Sequence, residues 1–321
     1  MPRHIWLDGR LLPAHGPHLH VTDRGFQLGD GVFETLRVRR GVPIEWDRHL
    51  ARLQRSATAL AIRLPVGEDL LRSGMAELLA AEALDAPGDD ERAPGDAAVR
   101  ITISRGPLEQ RGTLPPGWEA ATATVAIQAW AYTPPPAGLL ARGVRAITSS
   151  IRRDPSNPLA GIKTTARAEL VYAKLEAERA GADDALFLTH DGRVSEATSA
   201  NVFAMTGDEL VTPPGDAAIL AGATRAWLLT EPAVRALNLT PVEGNLRPVD
   251  LLAADEVFLT ASVAGIVPLT AFDGRPIGTG RPGARTLRLR EIRERWIDAQ
   301  SLAANRGRGE LPSRMTGEVQ R

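Results

Sequence analysis

Residues 160–205 read AGIKTTARAELVYAKLEAERAGADDALFLTHDGRVSEATSANVFAM. This stretch begins beside a lysine, Lys163, and ends shortly after a glutamate, Glu196, which small polar residues follow. Lys163 and Lys174 are the only two lysines among 38 Lys and Arg residues in the chain. A lysine can lose its proton and act as an amine nucleophile, which an arginine in a protein cannot do. The sequence therefore raises the question of what these two amines do.

The two lysines stand in different surroundings. Lys174 lies in the middle of a predicted helix, four residues before Glu178, and this spacing predicts an exposed ion pair on the helix surface. Lys163 has no such partner, and the neighbouring Leu159 and Ile162 predict partial burial. Burial disfavours the charged form of an amine and lowers its pKa. Lys163 is therefore the candidate nucleophile. Judged from composition alone, it could instead be an ordinary surface lysine.

The composition of the 321-residue chain excludes several classes of protein. The absence of cysteine removes disulfides, thiolate metal ligands and a cysteine nucleophile. The net charge is −1 and no long basic run occurs, so nucleic acid is not an expected partner. No apolar run approaches the roughly 18 residues that would span a bilayer, and the N-terminal residues lack an apolar signal core. We therefore expect a cytoplasmic protein that neither binds nucleic acid nor enters a membrane.

Strand and helix patterns are mixed along the chain and predict an α/β (α+β) fold with two domains. The three prolines of TPPPAG predict a stiff connector between them. The Pro, Gly and acidic residues of 84–97 predict a surface loop, and helices are expected over 166–180, 223–237 and 284–304. The predicted organisation is an N-terminal α+β domain over 1–132, a connector over 133–138, a C-terminal domain over 139–304 and a loose tail over 305–321.

Three further places could hold an anion. Glu196 precedes the small polar segment 198–201, and such a turn can present backbone N–H groups to an anion, although an exposed turn would have the same sequence. Residues 222–224 open a predicted helix, whose N-terminus can bind phosphate or simply be capped. Arg52 lies beside the apolar stripe of a predicted helix, where a buried cation needs an anionic partner. Either a carboxylate or a phosphate would satisfy Arg52.

Two other motifs are weaker. GTGRPG at 278–283 matches the dinucleotide-binding pattern, but it contains a proline and lacks the strand–helix–strand setting that this pattern requires. His15, His18 and His20 lie close together, but no carboxylate stands at metal-site spacing beside them. We therefore expect neither a dinucleotide nor a metal.

Seven segments occur in the order found in the class IV aminotransferases, the fold type IV group of pyridoxal phosphate (PLP) enzymes, and resemble them. They are DRGFQLGDGVFETLRV (23–38), RHLARL (48–53), ITISRG (101–106), GIKTTARAELVYAKLEA (161–177), GADDALFL with DGRVSEATSANVF (181–203), AGATR (221–225) and DGRPIGTGRPGARTLRL (273–289). The resemblance covers roughly residues 3–300. It implies PLP bound between two domains, a homodimer with sites near the subunit interface, and amino and keto acids as substrates.

The resemblance also implies roles for individual residues. Lys163 holds the Schiff-base position of the family and would move the substrate proton. Arg52 aligns with the phosphate-binding arginine, and Glu196 aligns with the carboxylate that pairs with the pyridine nitrogen. The other implied cofactor-binding residues are Ser199, Ala200 and Asn201 in the phosphate-side turn, Leu220 under the pyridine ring, and Gly222, Ala223 and Thr224 at the helix start.

The substrate is indicated less directly. After Lys163 stands Thr-Thr-Ala-Arg, not the Gly-Gly-Asn-Tyr typical of the branched-chain group. Phe33 stands where D-amino acid aminotransferases commonly have a tyrosine whose hydroxyl helps to bind the substrate carboxylate. Arg111 is then the candidate carboxylate ligand, supported by the turn formed by Thr260, Ala261 and Ser262. The prediction is a D-amino acid transaminase with atypical carboxylate recognition.

Several alternatives stay open. The Ser-Val-x-Gly pattern within TASVAG (260–265) resembles the aminodeoxychorismate lyases, which form 4-aminobenzoate and pyruvate. A branched-chain L-amino acid transaminase or an (R)-amine transaminase comes next. Outside the enzymes, the alternative is a non-catalytic α/β binding protein, which the joint presence of Lys163, Glu196 and Arg52 disfavours.

Overall fold

Two β-sheets organise the computed structural model, which describes residues 2–85 and 96–309. The strands of the first sheet are β1 (His4–Leu7), β2 (Arg10–Pro13), β3 (Gly31–Arg39), β4 (Val42–Pro43), β5 (Ala97–Ser104) and β6 (Thr124–Ala131). They pair antiparallel in the order β2-β1-β6-β5-β3-β4. The helices of this part are α1 (Arg24–Leu28), α2 (Trp46–Ala59) and α3 (Glu68–Ala81).

The second sheet is mixed and larger. Its strands are β7 (Val144–Arg153), β8 (Asp184–Thr189), β9 (Val194–Ala197), β10 (Asn201–Thr206), β11 (Glu209–Thr212), β12 (Thr240–Glu243), β13 (Glu256–Ala261), β14 (Gly265–Phe272) and β15 (Arg275–Pro276). The order is β12-β11-β10-β13-β14-β7-β8-β9, with β15 paired to β14. The helices are α4 (Ala137–Arg142), α5 (Ala168–Arg179), α6 (Ala223–Thr230), α7 (Pro232–Arg235), α8 (Pro248–Ala253) and α9 (Ala284–Gly309).

The period-2 alternation of β3 and β5 decides which side chains reach the interior of the molecule. In β5, Val99 and Ile101 point to the apolar core under α2 and α3, whereas Arg100 and Thr102 point to the opposite face. Phe33 of β3 pairs directly with Thr102 and therefore shares that opposite face. The first sheet thus presents an aromatic ring and a cation towards the second sheet.

The segment that carries Lys163 is fastened to the first sheet by main-chain hydrogen bonds. The N–H of Phe33 donates to the carbonyl of Lys163 at 3.0 Å, and the N–H of Thr165 donates to the carbonyl of Gly31 at 2.8 Å. A Cβ at Gly31 would lie 2.8 Å from the carbonyl oxygen of Ile103, so this close approach requires glycine. Lys163 is therefore held against β3 immediately before α5 begins.

Helix α9 also joins the two parts of the chain. It packs on β14 of the second sheet, and its acidic residues bind arginines of the first sheet. Arg37 donates to Glu294 at 2.9 Å, and Arg39 and Arg40 both donate to Asp298 at 2.8 Å. These ion pairs link the last described helix to β3 and the turn after it.

The structure differs from the sequence prediction in three places. The predicted helix over 223–237 is two helices, because Pro232 has no N–H to continue α6 and disfavours helical geometry at the residue before it. Residues 305–309 continue α9 instead of starting a loose tail, and the Asn305 side chain donates to the carbonyl of Arg40 at 3.2 Å. The proline connector is extended only to Pro136, since α4 begins at Ala137.

Other sequence predictions lie partly or wholly outside the described residues. This holds for most of the 84–97 loop and for residues 310–321 of the predicted tail. The first sheet ends at Ala131 and the second begins at Val144, on either side of the predicted connector, while the domain boundaries themselves stay a prediction. In 2–85 and 96–309, no helix is both long and apolar enough to cross a membrane.

Candidate active site

A cavity of about 900 Å³ lies between the two sheets. Its size falls within the range of about 300–1,000 Å³ that is usual for small-molecule sites. Strands and loops of both parts of the chain supply its walls, including Phe33, Arg52, Lys163, Glu196, Leu220 and Thr260. The cavity therefore unites the residues that the sequence pattern placed far apart in the chain.

The Lys163 amine is largely buried in this cavity. Burial lowers its pKa from 10.5 to about 8, and the positive charge of Arg52 acts in the same direction. Its Nζ lies 4.7 Å from the centre of the Phe33 ring. An amine with this pKa is neutral in a far larger fraction of molecules near neutral pH than an ordinary lysine, and only the neutral amine acts as a nucleophile or base. The predicted depression of the Lys163 pKa is confirmed.

Lys174 behaves differently, and its predicted partner is wrong. Its side chain is exposed at the rim of the same cavity. Its Nζ donates to the carbonyl of Asp183 and lies 3.7 Å from the carboxylate of Asp184, so it does not pair with Glu178. The side chain reaches across to the residues at the start of β8, where a carbonyl and a carboxylate are both available to the ammonium group.

Glu196 on β9 presents one free carboxylate oxygen. Its Oε2 accepts hydrogen bonds from the N–H of Leu220 at 3.0 Å and from the amide of Asn201 at 3.1 Å. Its Oε1 accepts no hydrogen bond within the described residues, and the nearest cation is Arg153 at 3.9 Å. Burial raises the pKa of Glu196, while the charge of Arg153 and the Leu220 N–H oppose that rise. The free oxygen suits a donor such as a protonated ring nitrogen.

The start of α6 supplies donors for an anion. The hydroxyl groups of Thr224 and Thr260 are buried, and neither has a hydrogen-bond partner in the parts of the chain that the structure describes. Thr224 stands in the first turn of α6, where main-chain N–H groups point out of the helix. A Cβ at Gly222 would lie 2.0 Å from Oδ1 of Asn201, so only glycine fits this turn. Orphaned hydroxyls beside a helix N-terminus fit a phosphate group.

Arg52 lies beside this turn but is already paired. Its Nε and Nη2 donate to Glu34 at 2.7 and 2.8 Å, and its Nη1 donates to the carbonyl of Ala221 at 2.7 Å. The anionic partner that the sequence required for Arg52 is thus a carboxylate. The guanidinium still borders the cavity and retains N–H groups for a second anion.

The remaining predicted cofactor residues also line the cavity: Ser199, Ala200, Asn201, Leu220 and Ala223. Asn201 has a definite structural role, because its amide donates both to Glu196 and, at 2.8 Å, to the carbonyl of Leu220. It therefore orients the Glu196 carboxylate. Direct contact of these residues with a cofactor stays a prediction.

The substrate side of the cavity departs from the sequence prediction. Phe33, Thr260, Ala261 and Ser262 line it, but Arg111 is exposed and does not. Two arginines that sequence reasoning missed stand there instead. The guanidinium carbons of Arg100 and Arg167 lie 3.7 and 5.3 Å from the centre of the Phe33 ring.

Neither of these arginines forms an ion pair at hydrogen-bond distance with a carboxylate of the described residues, and the pKa of each is lowered by burial. Arg100 uses its Nε on Thr102 at 3.0 Å. The alternation of β5 could have identified Arg100, because this arginine lies between two apolar residues that face the core. Arg167 had no comparable signal. Two partly buried cations without a close anion create a site for a carboxylate.

The family model "Amino-transferase class IV" matches residues 31–272. The chain belongs to this family. It is 32% identical to a D-alanine aminotransferase of Bacillus licheniformis over 88% of this chain and 93% of that protein. It is 29% identical to an aminodeoxychorismate lyase of Bacillus subtilis over 90% of this chain and 94% of that protein.

The fold agrees with solved members of the family. A branched-chain amino acid aminotransferase from T.th., solved with pyridoxamine 5′-phosphate, superimposes with a TM-score of 0.82 at 26% identity, covering 92% of this chain and 94% of that one. The predicted fold type IV architecture and the PLP cofactor are confirmed. The free Glu196 oxygen, the Lys163 amine and the orphaned hydroxyl of Thr224 at α6 fit the ring nitrogen, aldehyde and phosphate of that cofactor.

Bound PLP supplies an electron sink for the carbanion that forms when the substrate loses its Cα proton. Lys163 would hold the cofactor through its amine and would carry the Cα proton, because its pKa of about 8 permits both protonation states. Glu196 can keep a proton on the ring nitrogen through its free Oε1. The α6 turn would hold the phosphate.

The reactivity of Lys163 should follow its lowered pKa. In cofactor-free protein, modification of this amine by an amine-directed reagent should rise with pH with a midpoint of about 8, because only the neutral amine reacts. Mass spectrometry of the peptide that contains Lys163 measures the rate. Lys174→Ala should leave the midpoint unchanged. A midpoint near the ordinary lysine value of 10.5 would contradict the burial argument.

Proposed function

We propose that the protein is a PLP-dependent transaminase that moves an amino group between a D-amino acid and a 2-keto acid. The proposal rests on two arginines that lie on the cavity wall beside Phe33. Arg100 belongs to β5 of the first sheet, and Arg167 immediately precedes α5. Two guanidinium groups that have no carboxylate at hydrogen-bond distance among residues 2–85 and 96–309 favour a substrate with a carboxylate. An (R)-amine without a carboxylate would leave both cations without a partner.

Carboxylate recognition in this proposal is atypical, as the sequence predicted, but its residues differ. Phe33 has no hydroxyl to offer, and the exposed Arg111 does not belong to the cavity wall of its own chain. Arg100 and Arg167 stand beside the Phe33 ring and can each donate two hydrogen bonds to a carboxylate. The preference for the D-series is supported by the residues that follow Lys163 and by the similarity to D-alanine aminotransferase.

Aminodeoxychorismate lyase is the second candidate. Residues 260–265, whose Ser-Val-x-Gly pattern resembles the lyases, line the cavity beside the cofactor site. The substrate of that reaction also carries carboxylates, so Arg100 and Arg167 suit it as well. The geometry of the cavity supports both reactions, and their products distinguish them.

We infer that the protein acts as a homodimer. Residues 19–28 expose four large apolar side chains, namely Leu19, Val21, Phe26 and Leu28, with exposed fractions of 50–72%. Grouped exposed apolar side chains are typical of association surfaces. The resemblance to dimeric family members favours a second copy of this chain as the partner that covers residues 19–28. The cytoplasmic location expected from the sequence stays a prediction.

Single-turnover reactions test the substrate assignment. D-Alanine should bleach the visible absorption band of the bound cofactor, whereas L-leucine should do so at least about tenfold more slowly and (R)-1-phenylethylamine hardly at all, because the last has no carboxylate for the arginines. Stopped-flow absorbance gives the rates. Faster reaction with L-leucine than with D-alanine would contradict the D-specific proposal. Formation of pyruvate and 4-aminobenzoate from aminodeoxychorismate would favour the lyase.

Substitution of either arginine tests carboxylate recognition. Arg100→Gln and Arg167→Gln should each raise KM for the 2-keto acid by about ten- to a hundredfold, because each loses charged hydrogen bonds to the carboxylate. Steady-state kinetics measure this, and Arg288→Gln, on the exposed surface of α9, serves as the control. If Arg111→Gln raised KM more than Arg100→Gln and Arg167→Gln did, Arg111 would be the carboxylate ligand, as predicted from the sequence.

A charged residue in the apolar segment tests the dimer. Phe26→Asp should shift the mass in solution from twice the 34.4 kDa of one chain towards that of a single chain, since the carboxylate cannot be buried unpaired. Sedimentation equilibrium measures the mass. Val249→Asp, at an exposed apolar residue elsewhere, is the matched control. A wild-type protein that sediments as one chain would refute the dimer.

A further inference from the structure

A buried acidic residue beside the phosphate end has no role in the chemistry described above. The carboxylate of Glu34 accepts hydrogen bonds from Nε and Nη2 of Arg52 at 2.7 and 2.8 Å and from Nδ1 of His49 at 2.7 Å. The side chains of all three residues are buried, and that of Glu34 is only 1% exposed. A buried carboxylate that accepts three hydrogen bonds is a fixed part of the structure.

The local sequence dictates this arrangement. Glu34 follows Phe33 in β3, so its side chain points away from the cavity wall and towards α2. His49 and Arg52 are three residues apart in α2 and therefore share one face of the helix. That face lies over Glu34. The result is a carboxylate held between a strand and a helix, directly behind the guanidinium that borders the cavity.

The charge of Glu34 persists at every working pH. Burial pushes its pKa upwards, but the hydrogen bonds and charges of Arg52 and His49 outweigh burial and lower the pKa to about 2. Glu34 therefore cancels the charge of Arg52. It also acts on Lys163, since the charge of Arg52 lowers the pKa of that amine and the charge of Glu34 raises it.

The two nitrogens that bind Glu34 and the one that binds Ala221 also orient the guanidinium. Arg52 is thus tied to β3 on one side and to the turn before α6 on the other. The Arg52 guanidinium is therefore already oriented before a phosphate binds, and the Glu34 carboxylate already compensates its charge. The neutral donors at α6 must then supply most of the phosphate binding.

We propose that Glu34 is a positioning residue with two effects. It holds the Arg52 guanidinium in the direction of the phosphate, and its negative charge moderates the effect of Arg52 both on a bound phosphate and on the Lys163 amine. The inference rests on PLP binding in this cavity and is independent of the substrate. It identifies a residue that sets cofactor affinity and amine basicity without touching either the cofactor or the substrate.

Spectral titration of the holoenzyme separates these effects. In Glu34→Gln the midpoint of the pH titration of the cofactor absorption band should fall by about half to one pH unit, because a negative charge near Lys163 is lost. The glutamine keeps one oxygen that can accept a hydrogen bond from Arg52, so the main change is the lost charge. The same variant should therefore bind PLP about three- to tenfold more tightly, because Arg52 is no longer compensated. Equilibrium binding followed by absorbance measures the affinity.

A second variant, Glu34→Asp, tests the orienting effect, and its result can be interpreted even if Glu34→Gln does not fold. Glu34→Asp keeps the charge but withdraws the carboxylate from Arg52. Its titration midpoint should equal that of the wild type, while PLP should bind about three- to tenfold more weakly. Wild-type affinity in Glu34→Asp would overturn the orienting role.

A matched control exists in the same chain. Glu45 is also buried and paired with a buried arginine, Arg293, but neither lines the cavity. Glu45→Gln should leave both the midpoint and the PLP affinity unchanged. The proposal fails if Glu34→Gln leaves both quantities at the wild-type values or if Glu45→Gln changes them equally. A wild-type protein that does not bind PLP would overturn the cofactor assignment as well.

Discussion

The main-chain pairing between the Lys163 segment and β3 is the constraint on which the rest of the site depends. Two hydrogen bonds, from Phe33 to Lys163 and from Thr165 to Gly31, fix a loop of the second half of the chain to a strand of the first. The amine is thereby fixed between the sheets in surroundings that lower its pKa. Because main-chain bonds depend little on side-chain identity, this position tolerates the Thr-Thr-Ala-Arg sequence that follows the lysine.

The alternation of β3 then distributes the chemistry over two faces. Phe33 faces the cavity and brings Arg100 and Arg167 around its ring, whereas Glu34 faces α2 and binds Arg52. Adjacent residues therefore face the two regions proposed for the substrate and the phosphate. The cations of the site differ accordingly: Arg52 is compensated by a carboxylate, whereas Arg100 and Arg167 have none at hydrogen-bond distance in the part of the chain that the structure describes. This difference supports the proposal that charged groups bind the substrate carboxylate and that neutral donors contribute to phosphate binding.

Much of this could be predicted where local patterns were sufficient. Helical spacing placed the helix that bears Arg52, and the burial of the Lys163 amine followed from its apolar neighbours. The strand that bears Glu196 was not predicted, because its sequence also fits an exposed turn. The errors arose mainly where a distant group decided. Lys174 turned from Glu178 to Asp184 of another element, and α9 extended beyond residue 304, where Asn305 reaches Arg40. The break at Pro232 is different, because a proline within a helical pattern predicts it from local chemistry alone.

The sequence by itself determined the class of chemistry: a rare lysine, a glutamate 33 residues later and a small-residue helix start, in an order that resembles one family of PLP enzymes. Only the tertiary structure decided which charges act on that chemistry. Arg100 and Arg167 are 67 residues apart and belong to different parts of the chain, and Glu34 meets Arg52 across a strand–helix contact. Charges interact through space over a few ångströms, so their partners depend on how the sheets pack and cannot be read from spacing along the chain.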